Sequence, residues 1–339
     1  MQCPVCGAAC LQDAGSVLDT LQNVFAPCDR CAAVPLDKRR PLPADYEPAP
    51  PCRCGHRFID DVFAACYLIF IEEGIFTGAE ALGAIATPVV NPGFVMASPP
   101  FLPQHSLVIL SPHPNLTAAD RIVREVPEVQ GVVRTGATVP GVGPDGALAS
   151  HTLLAGCDVQ ANIFPTSFGD LVVYKELSCL HLEFPLPANP KIRAVERALR
   201  REKPSVFVDA CCGAGTLGLA AALAGTPEVV FNDAYGPATF WTAVNLMVNR
   251  KALLIDEVIL HSERSDLPAV SSEPILVAEG LGEQHIAVYL GDFNRLPAAF
   301  PPASRSLTAL DIFGKEENQA CAAALDRWKN AGGGKAFIP

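Results

Sequence analysis

Positive charge is scarce in this chain: 25 lysines and arginines stand against 36 aspartates and glutamates, a formal net charge of −11. A protein that coats nucleic acid indiscriminately needs lysine and arginine clustered over its surface. That class is excluded, whereas a local basic groove is not. Charged residues of both signs make up only 18% of the chain against 50% hydrophobic, which excludes extended disorder. Long unbroken apolar runs are missing too. The most apolar stretch, Phe58 to Phe76, is cut by Asp60, Asp61, Glu72 and Glu73. It is too short and too charged to span a bilayer, and reads as a helix packed on a core. The opening Met1-Gln2-Cys3-Pro4-Val5-Cys6-Gly7 carries no export signal, and the chain has no internal repeat. A cytoplasmic protein with no membrane partner is expected.

Cysteine, by contrast, is plentiful. Seven of the 13 cysteines fall within the first 54 residues, six of them in close pairs. Such pairs without an export signal point to metal ligation in a reducing compartment. Cys3-x2-Cys6 and Cys28-x2-Cys31 are spaced like the two knuckles of a zinc ribbon, and Cys52-x-Cys54-Gly55-His56 adds up to three ligands. Cys10 offers one more. Thiolate sets favour zinc, with an iron–sulfur cluster as runner-up. The expected metal ligands are Cys3, Cys6, Cys28, Cys31, Cys52 and Cys54, serving one site or two. Residues 1–57 are short and rich in proline, so a metal would supply stability that a core cannot.

Residues 58–187 read as an α+β domain. Leu107 to Leu110 and Val129 to Val133 are strand-like, with Thr117-Ala118-Ala119-Asp120 as a helix-opening box between them. Thr152 to Leu154, Asp170 to Tyr174 and Leu180 to Phe184 are further strand candidates. From residue 188 to 339 strands and helices alternate: strands at Val206 to Asp209, Val229 to Asp233, Ile286 to Leu290, Leu307 to Ile312 and Lys335 to Ile338, with helices between. That alternation implies a parallel sheet covered on both faces. The expected fold class is therefore α/β, a Rossmann-like domain preceded by an α+β domain and a small zinc-ribbon-like head.

Strand, glycine turn and helix start follow in order in Val208-Asp209-Ala210-Cys211-Cys212-Gly213-Ala214-Gly215-Thr216-Leu217-Gly218. Gly213 and Gly215 allow a tight turn and close ligand approach, and Gly218 allows close helix packing. Asp209 closes the first strand, Asn232 and Asp233 the second, and Asp292 follows the third. This pattern resembles the class I methyltransferase fingerprint, in which an acidic residue precedes the glycines and no phosphate is cradled. The resemblance implies S-adenosylmethionine as cofactor, with Asp209, Gly213, Gly215, Asn232, Asp233 and Asp292 around it. Asp233 would take the ribose hydroxyls and Asp292 the adenine amine.

From Leu154 to Gly314 the motif order is similar to archaeal and eukaryotic tRNA guanine-N1 methyltransferases and the related wybutosine-pathway transferases. The matching pieces are Leu153 to Gly156, Leu180 to Phe184, Asn189-Pro190, Glu196-Arg197 and Asn245 to Asn249. The chain departs at Asp311-Ile312-Phe313-Gly314-Lys315, where that family carries an Asn-Leu-Pro type motif. The resemblance implies a macromolecular acceptor, an RNA nucleobase in the first place. A protein side chain (histidine, cysteine or arginine) and a non-catalytic partner-binding scaffold are the alternatives. Proton removal falls to Asp311 first and Glu196 second. Between residues 191 and 203 six basic residues face two glutamates, a run able to follow a phosphate backbone or simply to face water.

Overall fold

The computed structural model describes residues 1–143, 146–301, 305–315 and 318–339. The chain begins with cysteine turns and one short helix, α1 (Ala14–Thr20), whose Ala14 and Val17 are buried. The interrupted apolar stretch forms α2 (Ile59–Glu72). Its two leading aspartates are buried because donors reach them. Asp60 accepts from Leu36 N and pairs with Lys38, while Asp61 accepts from Tyr46 Oη and Ala49 N. Carboxylates leave water only when partnered in this way. Here they peg the proline-rich stretch onto the helix. No described helix is long and apolar enough to cross a membrane.

Four strands follow as a mixed sheet in sequence order: β1 (Thr87–Val90), β2 (Leu107–Ser111), β3 (Val129–Arg134) and β4 (Thr152–Gly156). Only β2 and β3 run parallel, joined by α3 (Leu116–Glu125). The box at Thr117 does not open this helix. Asn115 does, its Oδ1 accepting from Ala118 N at 2.9 Å, because the cap needs extended backbone one residue ahead of the first turn. The two helices and the sheet share one core, from Phe25 to Val132.

Next comes a hairpin, β5 (Val159–Thr166) with β6 (Gly169–Glu176). Leu180 to Phe184, expected as a strand, pairs with no strand among the described residues. Leu180, His181 and Glu183 of this stretch line a cavity instead.

The remaining chain is α4 (Pro190–Glu202), β7 (Val206–Asp209), α5 (Thr216–Leu223), β8 (Glu228–Asp233) and α6 (Gly236–Asn249). After these come β9 (Ile255–Leu260), β10 (Ile275–Gly282), β11 (His285–Leu290), β12 (Ser306–Ala309), α7 (Asn318–Asn330) and β13 (Lys335–Phe337). The seven strands order as β9-β10-β11-β8-β7-β12-β13, parallel from β11 through β13. This is the Rossmann-like sheet that the alternation implied, extended at one edge by the antiparallel pair β9 and β10. The hairpin lies over α5 and α6 rather than in the sheet. There Asn245 and Asn249 of α6 each exchange two hydrogen bonds with the backbone of β6, at Tyr174 and Val172. Trp241 is fully buried beneath, its Nε1 donating to Glu176 at 3.1 Å. The largest core joins the sheet, the hairpin and α1.

Candidate functional site

Strand order reverses at β7, which has β8 on one side and β12 on the other. In such sheets the crevice beyond the strand ends at the reversal is where ligands bind. Four carboxylates converge there: Asp209 on β7, Asp233 on β8, Asp292 after β11 and Asp311 after β12. All line one cavity of about 790 Å³.

The glycine turn shapes its floor. Gly213 and Gly215 have φ of +55° and +89°, a region costly for residues with a Cβ. At Gly213 a Cβ would meet nothing within 4 Å, so the backbone is open to an approaching ligand. Gly215 caps α5, and Gly218 lets that helix lie against β8, since a Cβ there would sit 2.2 Å from the Phe231 ring. Asp209 Oδ2 accepts from Gly218 N at 2.8 Å, while its Oδ1 is buried without a partner. Burial pushes this carboxyl up to about 7, and the Asp311 and Asp233 carboxylates push the same way, against the Gly218 N–H that lowers it. Asp233 accepts from Gly213 N at 2.9 Å and Tyr235 N at 3.0 Å. Asp292 Oδ1 accepts from the backbone and side chain of Asn294. Asn232 is fully buried and outside the cavity lining; its amide donates to Ala210 O and Gly291 O, tying three strand ends together.

Across the cavity stands a second ionic group. Asp311 pairs with Lys191 Nζ at 2.7 Å and Lys315 Nζ at 2.8 Å. Burial works against the charge on Lys191, but Asp311 and Glu183 overcome it and raise its pKa. Glu183, bonded to Lys175 and Asn189, is held below the usual carboxylate range by Lys175 and Lys191 despite its burial. Glu196 is elsewhere. Its two carboxylate oxygens accept from Ser167 N and Ser167 Oγ, both at 2.7 Å, so it fastens the hairpin turn to α4 and does not line the cavity. Burial and the surrounding aspartates raise the Cys211 and Cys212 thiols, which suits packing rather than nucleophilic chemistry.

Sequence reasoning missed His181 and Glu183, which line the cavity from the stretch read as a strand, and gave Lys191 only a phosphate-tracking role. The Pro140 to Gly143 segment also reaches the cavity, with no signal in its sequence to announce it.

The cysteines form two quartets, not one. Cys28, Cys31, Cys52 and Cys54 bring four sulfurs within 4.8 Å of one another, and so do Cys3, Cys6, Cys10 and Cys157. His56 is in neither; its ring faces the carbonyls of Cys54 and Val24. Tetrahedral zinc with Zn–S near 2.3 Å separates sulfurs by about 3.8 Å. Cys28 lies 3.7 Å from both Cys31 and Cys52, and Cys31 lies 3.5 Å from Cys54. The donor set and spacing fit zinc.

No family model matches the chain, and no curated protein matches it. Among solved structures it is similar to TYW2 of Pyrococcus horikoshii in complex with MeSAdo, at 16% identity and a TM-score of 0.42, over 81% of this chain and 78% of that one. It is also similar to Trm1 of the same organism in complex with S-adenosyl-L-methionine, at 24% identity and a TM-score of 0.30, over 45% and 36%. A third is the tRNA m1G37 methyltransferase of M. jannaschii, at 14% identity and a TM-score of 0.36, over 78% and 60%. At such scores the likeness is one of distant shape. The functional reading rests on the residues of the cavity.

Proposed function

We propose that the protein is an S-adenosylmethionine-dependent methyltransferase acting on an RNA nucleobase. One observation carries the reading: Asp209, Asp233 and Asp292 converge on an open glycine turn at the sheet's reversal point. The carboxylates of Asp209, Asp233 and Asp292 at the turn repel a pyrophosphate and suit a cation, while Asp311 and Glu183 on the same cavity are matched by Lys191, Lys315 and Lys175. When bound, the cofactor supplies an electrophilic methyl group on a sulfonium. The unpartnered Asp209 Oδ1 suits the positively charged methionine end, Asp233 the ribose hydroxyls and Asp292 the adenine amine. Asp311 lines the opposite wall, placed to take a proton from the acceptor, with Lys191 and Lys315 fixing its orientation. The head carries zinc at Cys28, Cys31, Cys52 and Cys54 in a structural role, and a reducing, cytoplasmic setting goes with its free thiols. We keep the division at 1–57, 58–187 and 188–339 as head, accessory and transferase parts.

The carboxyl at Asp209 gives the cofactor reading a pH test. Its pKa is higher in the fold than in an unfolded chain, so the folded protein holds a proton there that a cationic ligand must displace. Cofactor affinity should therefore fall as pH drops through about 7, by up to about tenfold per unit. Calorimetry between pH 5.5 and 8 should show this slope, with a binding enthalpy that changes with the ionisation heat of the buffer because a proton is released. A flat profile identical in Asp209→Asn would remove Asp209 from the site.

RNA as acceptor is supported by α4. It starts at the cavity with Lys191 and runs outward with Arg193, Arg197, Arg200, Arg201 and Lys203 along it, while Ile192, Val195 and Ala198 are buried. Each phosphate contact releases counterions, so binding of tRNA should weaken steeply with salt. Arg200→Glu with Arg201→Glu should weaken it further with little change in thermal stability, because both arginines are exposed and, among the described residues, pair only with Glu196 and Glu202. Transfer of labelled methyl into a polypeptide, with a shallow salt slope and indifference to that double change, would favour a protein acceptor instead.

A further inference from the structure

The Cys3 quartet joins parts of the chain that no local motif connects. Cys3, Cys6 and Cys10 come from the opening turns, and Cys157 sits where the chain leaves β4 for β5. Cys3 Sγ lies 3.8 Å from Cys157 Sγ and Cys6 Sγ lies 3.2 Å from Cys10 Sγ. Disulfides are excluded, since bonded sulfurs stand about 2.05 Å apart. Packing alone does not account for the group either. A buried free cysteine behaves as a small hydrophobe, which suits Cys3 and Cys157 at 3% and 5% exposure, but Cys6 is exposed and Cys10 half-buried. Sulfurs of such unequal burial gather at one point when they share a ligand.

Both halves of the quartet are preset. In the opening turn Cys3 N donates to Ala8 O and Gly7 N donates to Cys3 O, with Gly7 at φ +73°. This is a knuckle that presents two thiols to one side. Cys157 is held from the other direction: its N–H donates to Gln130 O, and its carbonyl accepts from Gln130 Nε2. Gly131 passes so close that a Cβ there would stand 2.3 Å from that carbonyl. Neither half depends on the other for its shape.

We propose that Cys3, Cys6, Cys10 and Cys157 bind a second zinc ion, independent of the Cys28 quartet, and that this ion clamps the N-terminus to the junction between the middle sheet and the hairpin. As their sulfurs bind one Zn²⁺ the four thiols release their protons to solvent, completing a closed tetrahedral set with no position left for substrate. The role is therefore architectural. Beside it, Leu11, Ala14 and Val17 enter the same core as the hairpin and the Rossmann-like sheet, and Tyr174 Oη accepts from Gln12 N at 3.1 Å. The clamp thus reaches the framework that carries the cavity. It stands or falls apart from the methyltransferase reading.

Full-length protein purified with zinc should hold two equivalents by elemental analysis. Cys157→Ser should hold one, Cys54→Ser one, and the double variant none. Hydrogen exchange over residues 3–21 should quicken in Cys157→Ser and stay unchanged in Cys54→Ser. Cobalt(II) substituted into the wild-type protein reads the ligands without mutation. Two four-thiolate sites are expected, with charge-transfer absorption halved in Cys10→Ser should Cys157→Ser fail to fold. Two zinc ions retained in Cys157→Ser, a single cobalt site in the wild type, or iron in place of zinc would each overturn the proposal.

Discussion

Asp311→Asn should lower methyl transfer by about 10²- to 10⁴-fold, the range over which a positioned proton acceptor contributes. The change is nearly isosteric, and the side chain is partly exposed at the cavity wall, so the fold should survive it. Losing the charge leaves Lys191 and Lys315 without their shared partner at 2.7 and 2.8 Å. Part of the loss will therefore be positional. Single-turnover rates across pH separate the two contributions. A rate that stays low but rises with pH as hydroxide substitutes for the missing base marks proton removal; a pH-independent deficit marks misplacement. Cofactor affinity should hardly move, because Asp209, Asp233 and Asp292 remain in place. Full activity in Asp311→Asn would exclude it from the chemistry and turn attention to the group around Glu183 and His181.

A change at Gly218 should act on stability first. A Cβ at this position would sit 2.2 Å from Cε1 and 2.7 Å from two other atoms of the Phe231 ring, and that ring is fully buried on β8. Nothing flexible stands between, so Gly218→Ala must push α5 off the sheet or turn the ring into a packed neighbour. Overpacking of this kind costs about 1–3 kcal/mol. The melting temperature should fall by several degrees. Because α5 carries the glycine turn at its start, cofactor binding should weaken with it. Shrinking the ring tests the cause: Gly218→Ala with Phe231→Leu should recover part of the loss, a coupling that independent sites would not display. Additive losses would place the damage somewhere other than this contact.

Much of the Rossmann-like half could be read from the chain because its signals are local. Short β-branched strands such as Val206 to Asp209, bounded by glycine and followed by an apolar helix, repeat the same pattern, and each acid falls at a strand end. The antiparallel pair β9 and β10 escaped notice. Ile255 is buried, Asp256 and Glu257 are exposed, and a bulge breaks the register between Ile255 and Glu257, so no clean alternation survives. Glu196 looked like a catalytic or solvated carboxylate because its partner, Ser167, lies on a turn that only tertiary packing brings near. Cys157 carried no hint at all. A lone cysteine between two strands reads as core, and its neighbours Cys3, Cys6 and Cys10 lie far upstream in the opening turns.

The amides of Asn245 and Asn249 have one more consequence. Strands offer hydrogen bonds along both edges, and β6 spends one edge on β5. Its other edge, at Val172 and Tyr174, is met by the two asparagines, which give and take hydrogen bonds as a neighbouring strand would. A bare edge is a template for another chain, and this one is masked by side chains from a helix. During synthesis the hairpin emerges well before α6, so between those moments the template is exposed. Losing either asparagine would prolong that exposure and leave buried backbone groups of β6 without partners, so the cost would be read in aggregation of the nascent protein as well as in the stability of the finished one.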